Sequence, residues 1–110
     1  MSISSGALPT AEAVSVHDLI VPTTQIPANV PLVRTNGGSA TLFAFDAGQA
    51  LKEHTSPFDA LVFVLEGALI VTIGGTPVRA AAGTVVRLPP SIPHAVQAEE
   101  TARMLLVILR

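Results

Sequence analysis

From residue 41 onward, short apolar runs alternate with turn residues. Thr41–Phe45 is rich in β-forming residues, and Leu61–Leu65 is five consecutive apolar residues closed by Glu66-Gly67. Leu69–Ile73 is dominated by β-branched side chains and ends at Gly74-Gly75, a dipeptide suited to a tight hairpin. Val78–Ala82, Thr84–Leu88, His94–Gln97 and Arg103–Leu109 follow, separated by Gly83 and by a loop stiffened by Pro89, Pro90 and Pro93. Runs this short, bounded by turn residues, predict strands. No segment shows the period of an amphipathic helix, so the pattern predicts an all-β sandwich or barrel.

The phase of the alternation predicts faces. If the strand begun at His54 continues past Pro57, then His54, Ser56, Ala60, Val62 and Val64 share one face, with Phe58, Leu61, Phe63 and Leu65 near the other. Beyond residue 60 both faces are apolar, as they are in Met104–Leu109, and such strands are covered on both sides. One side would line the interior of a barrel. The other would pack on a second sheet or a second subunit. The four phenylalanines, Phe43, Phe45, Phe58 and Phe63, read most simply as core.

The start of the chain reads differently. Residues 1–13 are small and polar, a loose arm ahead of one domain spanning residues 14–110. Val14–Val21 predicts a weak strand. Pro22, Pro27 and Pro31 then punctuate an extended segment that fits neither a helix nor a central strand.

Composition narrows the function classes. The chain has 110 residues, 49% hydrophobic and only 13% charged. So few charges offer little repulsion between copies, and a homodimer with apolar strand faces buried is expected. The net charge is −2 and no Lys/Arg cluster exists to neutralise phosphates, which argues against nucleic acid as a partner. The absence of cysteine excludes disulfides, a thiolate nucleophile and Cys-ligated metal. Met1–Leu8 lacks the basic and apolar regions of a signal peptide, and no run approaches the ~18 apolar residues of a membrane span. A cytoplasmic protein without a membrane partner is expected.

His54 and His94, forty positions apart, are the candidates for chemistry. They can hold a divalent metal, act as an acid/base pair, or orient a ligand; the plainer alternative is a pair bonded to each other, to water or to Ser56. Ser56 can donate to a ligand oxygen or cap its own turn. Arg87 interrupts an apolar strand, either as an anion hook aimed into the pocket or as an outer-face side chain reaching water. Asp59 reads as a turn carboxylate, His17 as a surface side chain, and Glu53 has no assigned place.

Spacing adds a resemblance. Gly48, His54 after five intervening residues, then Ser56, Ala60 and Gly67 form one motif. Gly83, Pro89 after five more, then Ser91, His94 and Ala98 form a second. In this order they resemble the two motifs of the small single-domain bacterial cupins, over roughly Leu42 to Leu109. The resemblance implies an antiparallel double-stranded β-helix, or jelly-roll barrel. It also implies a divalent metal (Zn, Fe, Ni or Mn) held by His, His and Glu of the first motif and His of the second. Here His54 and His94 occupy two of those positions, while Ser56 and Ala60 stand at the others. Ser91 stands where the family usually has Gly, and Ala98 where it has Asn. Asp59 neighbours the Glu position but alternates to the opposite face, so only a bulge would bring it in. Two imidazoles fall short of the three protein ligands usual for catalytic metal. Three functions stay open: a small-molecule binding or sensing domain with His54, Ser56, Arg87 and His94 around the ligand; a metal-dependent dioxygenase or isomerase using His54 and His94; and a structural or partner-binding protein with a vestigial pocket.

Overall fold

A computed structural model describes residues 8–110. Nine strands follow one another: β1 (Ala28–Thr35), β2 (Gly38–Phe45), β3 (Ala50–His54), β4 (Asp59–Glu66), β5 (Ala68–Ile73), β6 (Thr76–Ala81), β7 (Val85–Leu88), β8 (His94–Ala98) and β9 (Ala102–Leu109). They form a five-stranded sheet in the order β1-β2-β9-β4-β7 and a four-stranded sheet in the order β3-β8-β5-β6. Every pairing is antiparallel. The all-β jelly-roll expectation therefore holds. Gly74 and Gly75 both adopt positive φ between β5 and β6, the conformation a two-residue hairpin turn demands.

The core lies between the sheets. Phe45, Val62, Val64, Leu69, Val71 and Met104 are almost wholly buried there. Each belongs to the inward phase of its strand, so period-two alternation converts directly into an apolar interior. A second, smaller cluster sits outside the five-stranded sheet, where Leu42 and Ala44 are capped by Ile20.

That cap departs from the sequence expectation. Val14–Val21 is not a strand; its centre is a single helical turn, α1 (Val16–Leu19). The amide of Ile20 donates to the carbonyl of Val16 at 3.3 Å, and that of Asp18 to Ser15 at 3.0 Å. A turn of helix brings Val16, Leu19 and Ile20 to one side, against the apolar sheet surface. Strand alternation would have split them between two faces. The buried Arg103 guanidinium fastens this segment, donating to the carbonyl of Ile20 at 3.2 Å and to the carboxylate of Glu66.

Part of the proline-punctuated stretch is extended. It carries β1, an edge strand whose register shifts between Pro31 and Val33. An edge is where a residue lacking an N–H is tolerated. Within the expected arm, residues 8–13 are irregular and exposed, with the Leu8 amide 3.4 Å from the Leu32 carbonyl; residues 1–7 lie outside the described part. Among the described residues, no helix is long and apolar enough to cross a membrane.

Candidate functional site

A single strand from His54 through Val64 does not form. β3 ends at His54 in one sheet and β4 begins at Asp59 in the other. The chain crosses between sheets at residues 55–58 and keeps its phase, so His54, Ser56, Ala60 and Val62 all face one pocket between the sheets. Leu88, Val96, Met104, Leu106 and Ile108 supply much of the remaining wall. The cavity they enclose is small, about 50 Å³, room for a few water molecules or a compact group.

His54 and His94 are cross-strand partners on β3 and β8, next to a register shift between Leu51 and His54. Their rings meet edge to face, with centroids 4.3 Å apart. The Nε2 atoms are 3.1 Å apart. His54 is exposed at the mouth, whereas His94 is only 6% exposed. Each ring is fixed from behind. His54 Nδ1 lies 2.9 Å from the carbonyl oxygen of Lys52, and His94 Nδ1 lies 3.3 Å from that of Ile92. A carbonyl oxygen can only accept, so each Nδ1 is the donor there, and the nitrogens left to face each other are both Nε2. At 3.1 Å the two Nε2 atoms stand within hydrogen-bonding distance of each other. Burial, and then the adjacent His54 imidazole, push the pKa of His94 below the ordinary histidine value, partly offset by the Ile92 carbonyl.

The loops that carry the pair are tied together. The Ser91 amide donates to the Ser56 carbonyl at 2.7 Å, and the Gly74 amide to the Pro93 carbonyl at 2.8 Å. Ser91 has φ of 63°, which explains why glycine suits this motif position. The Ser56 hydroxyl oxygen accepts from the Phe58 amide at 3.2 Å, capping its turn, while its side chain borders the pocket. Its hydroxyl hydrogen stays free to donate inward.

Arg87 does not reach the pocket, which corrects its placement as a ligand-binding residue. On β7, Leu88 pairs with Ala60 and takes the inward phase, so Arg87 points out. Its side chain is 68% exposed and grips Asp59 through two bonds, of 2.8 and 3.1 Å. Each partner stabilises the charged form of the other, lowering the Asp59 pKa and raising that of Arg87. No bulge turns Asp59 inward. His17 lies on the surface, 4.0 Å from the Glu66 carboxylate. Glu53 is exposed and does not line the pocket.

The donor set does not fit a resident metal. Among the described residues there is no group of three or more His, Cys, Asp or Glu side chains able to hold one. At the other two motif positions stand a hydroxyl engaged by the Phe58 amide and the methyl group of Ala60. The residues present supply two ligands and fall short of a resident metal centre.

Part of the wall escapes sequence reasoning. Met104, Leu106 and Ile108 alternate along β9, and their phase marks them as one face. The backbone acceptors of Lys52 and Ile92 have no signal in side-chain identity.

Comparisons with known proteins agree with the fold. A family model described as a cupin domain matches residues 41–109. The chain is similar to a conserved protein of unknown function from Streptococcus pyogenes, with 31% identity and a TM-score of 0.88 over 100% of this chain and 96% of that one. A cupin superfamily protein from Desulfitobacterium hafniense has 22% identity and a TM-score of 0.85, covering 93% of this chain and 94% of that one. A mutant salicylate 1,2-dioxygenase from Pseudoaminobacter salicylatoxidans has 16% identity and a TM-score of 0.72, over 84% of this chain and 28% of that one. At those last two identities the likeness is one of fold alone. No functionally curated protein matches the chain.

Proposed function

The chain belongs to the cupin family, and from that premise we propose that it is a small-molecule binding or sensing domain whose ligand is oriented by His54 and His94. One observation carries this reading. The pocket is walled mainly by apolar side chains, and its few polar side chains, His54, Ser56 and His94, are placed to fix one end of a ligand. That is the usual design of a small-molecule site. The donor set favours binding over metal-dependent catalysis, because it lacks the ligands that would secure the metal. A thermal-shift screen of small carboxylates, sugars and phenols is expected to yield at least one ligand that raises the melting temperature. The rise should vanish in the double variant His54→Ala, His94→Ala. If the variant is stabilised equally, the pair does not orient the ligand.

We also propose that two copies associate through the outer face of the five-stranded sheet. Leu61 and Phe63 on β4 point outward beside Leu105 and Val107 on β9, and all four are only half-buried. Exposed Val85 and Leu109 extend this apolar field. The Asp59–Arg87 pair lies beside it, and an acid and a base on one patch can exchange partners across a two-fold axis. Light scattering at micromolar concentration is expected to give twice the 11.3 kDa of one chain. Val107→Lys should halve that mass, while a monomeric wild-type protein would refute the proposal.

A further inference from the structure

We propose that the pocket takes the end of a short alkyl chain, roughly two to four carbons, from an amphiphilic molecule whose polar head stays at the mouth beside His54 and Ser56. This rests on the binding reading above and names the ligand class.

Polarity falls with depth. His54 is exposed and Ser56 is half-buried, whereas Val62, Leu88, Val96 and Met104 are each at most 3% exposed. His94 is buried, but its two ring nitrogens are turned to the His54 ring and to the Ile92 carbonyl, away from this floor. No Lys, Arg, Asp or Glu side chain lines the pocket, and Arg87 is held outward by Asp59. A polar group pushed past the histidines would meet aliphatic side chains and the Met104 thioether, and its lost hydrogen bonds to water would go unreplaced. At the mouth the Ser56 hydroxyl hydrogen is free to donate, and a head group placed there keeps its contact with solvent.

Size sets the length of the tail. The cavity encloses about 50 Å³. An engineered cavity of about 150 Å³ holds one benzene ring, so a third of that space holds roughly two to four carbons. A ring does not enter whole, while the end of a linear or once-branched chain does. Water is a poor occupant of the same space. A buried water needs about two to four polar partners, and the side chains of the floor offer none. Replacing it with methylene groups gains the transfer free energy of each carbon and gives up no good hydrogen bond.

The experiment titrates the full chain, after chelator treatment and desalting, with the linear alcohols from methanol to hexanol. Binding is followed by NMR at the Met104 methyl group. Each added carbon is expected to tighten binding about fourfold until the cavity is full, with no further gain beyond about butanol. Ala60→Val adds bulk at a position in the wall that is 5% exposed, and is expected to weaken propanol and butanol at least about tenfold. Leu106→Ala removes bulk from the half-buried side of the same wall, and is expected to carry the gain on to longer alcohols. Affinity that climbs unbroken to hexanol in the wild type, or that is unchanged in both variants, would place the chains outside the cavity and overturn the proposal. Alcohols that fail to bind, while the thermal-shift screen returns a ligand dependent on His54 and His94, would overturn the alkyl tail and leave the binding site standing. Failure of both would overturn the binding reading as well.

Discussion

Gly67→Ala is expected to destabilise the protein by about 2–5 kcal/mol, a large share of the roughly 5–15 kcal/mol available to a domain of this size. Gly67 joins β4 to β5 and so links the two sheets. Its φ is +73°, a conformation that costs an L side chain roughly 1–2 kcal/mol. Space adds a second penalty. A Cβ there would collide with the backbone carbonyl oxygen of Thr101 and stand 3.0 Å from the Cα of Ala102, backbone atoms at the entry to β9 that cannot swing away. Gly48→Ala is the control. That glycine has φ of +86°, but an alanine methyl group there would meet nothing within 4 Å, so it should pay the conformational penalty alone. Urea denaturation of both variants separates the two effects. Equal midpoint shifts would show that the close approach to Thr101 contributes nothing.

The same contrast shows why this fold is legible in sequence. Gly67, Gly74, Gly75 and Gly83 mark turns that backbone geometry requires, and the apolar runs between them alternate in the phase of the core. Strands with strong local signals, β4, β5 and β9, are legible close to their true limits. β3 is not, because Ala50–His54 is largely exposed and polar and buries little beyond Leu51. α1 is a single turn, too short to show a period, and only the sheet surface beneath Ile20 gives it a reason to form. The site divides in the same way. Motif spacing marks His54 and His94, and alternation marks Ser56 and Ala60. The direction of Arg87 depends on the pairing of Leu88 with Ala60, a long-range register that no local pattern encodes. The Nδ1 contacts depend on backbone oxygens, which every residue supplies alike.

Ser56→His combined with Ala60→Glu is expected to convert the pocket into a tight divalent-metal site, with a gain in zinc affinity on the order of 10³-fold. All four positions, His54, Ser56, Ala60 and His94, already border one cavity. The two Nε2 atoms stand 3.1 Å apart, the separation of adjacent ligands that each lie ~2.1 Å from one ion and subtend about 95° at it. What is missing is the rest of the donor set. In the metal-free variant the new carboxylate would sit at a position 5% exposed, in an apolar wall without a cationic partner, so the melting temperature should fall. Stoichiometric zinc should then raise it above the wild-type value, because metal affinity gained only in the folded state is folding stability. Elemental analysis after desalting should find about one equivalent in the variant and less than about a tenth in the wild type. A wild type that retains as much zinc as the variant would mean that His54 and His94 already recruit further ligands, and the reading of this pocket as an organic-ligand site would give way to a metal centre. Zinc that fails to restore the variant would show that Ser56 and Ala60 are not placed to complete a coordination sphere around the pair.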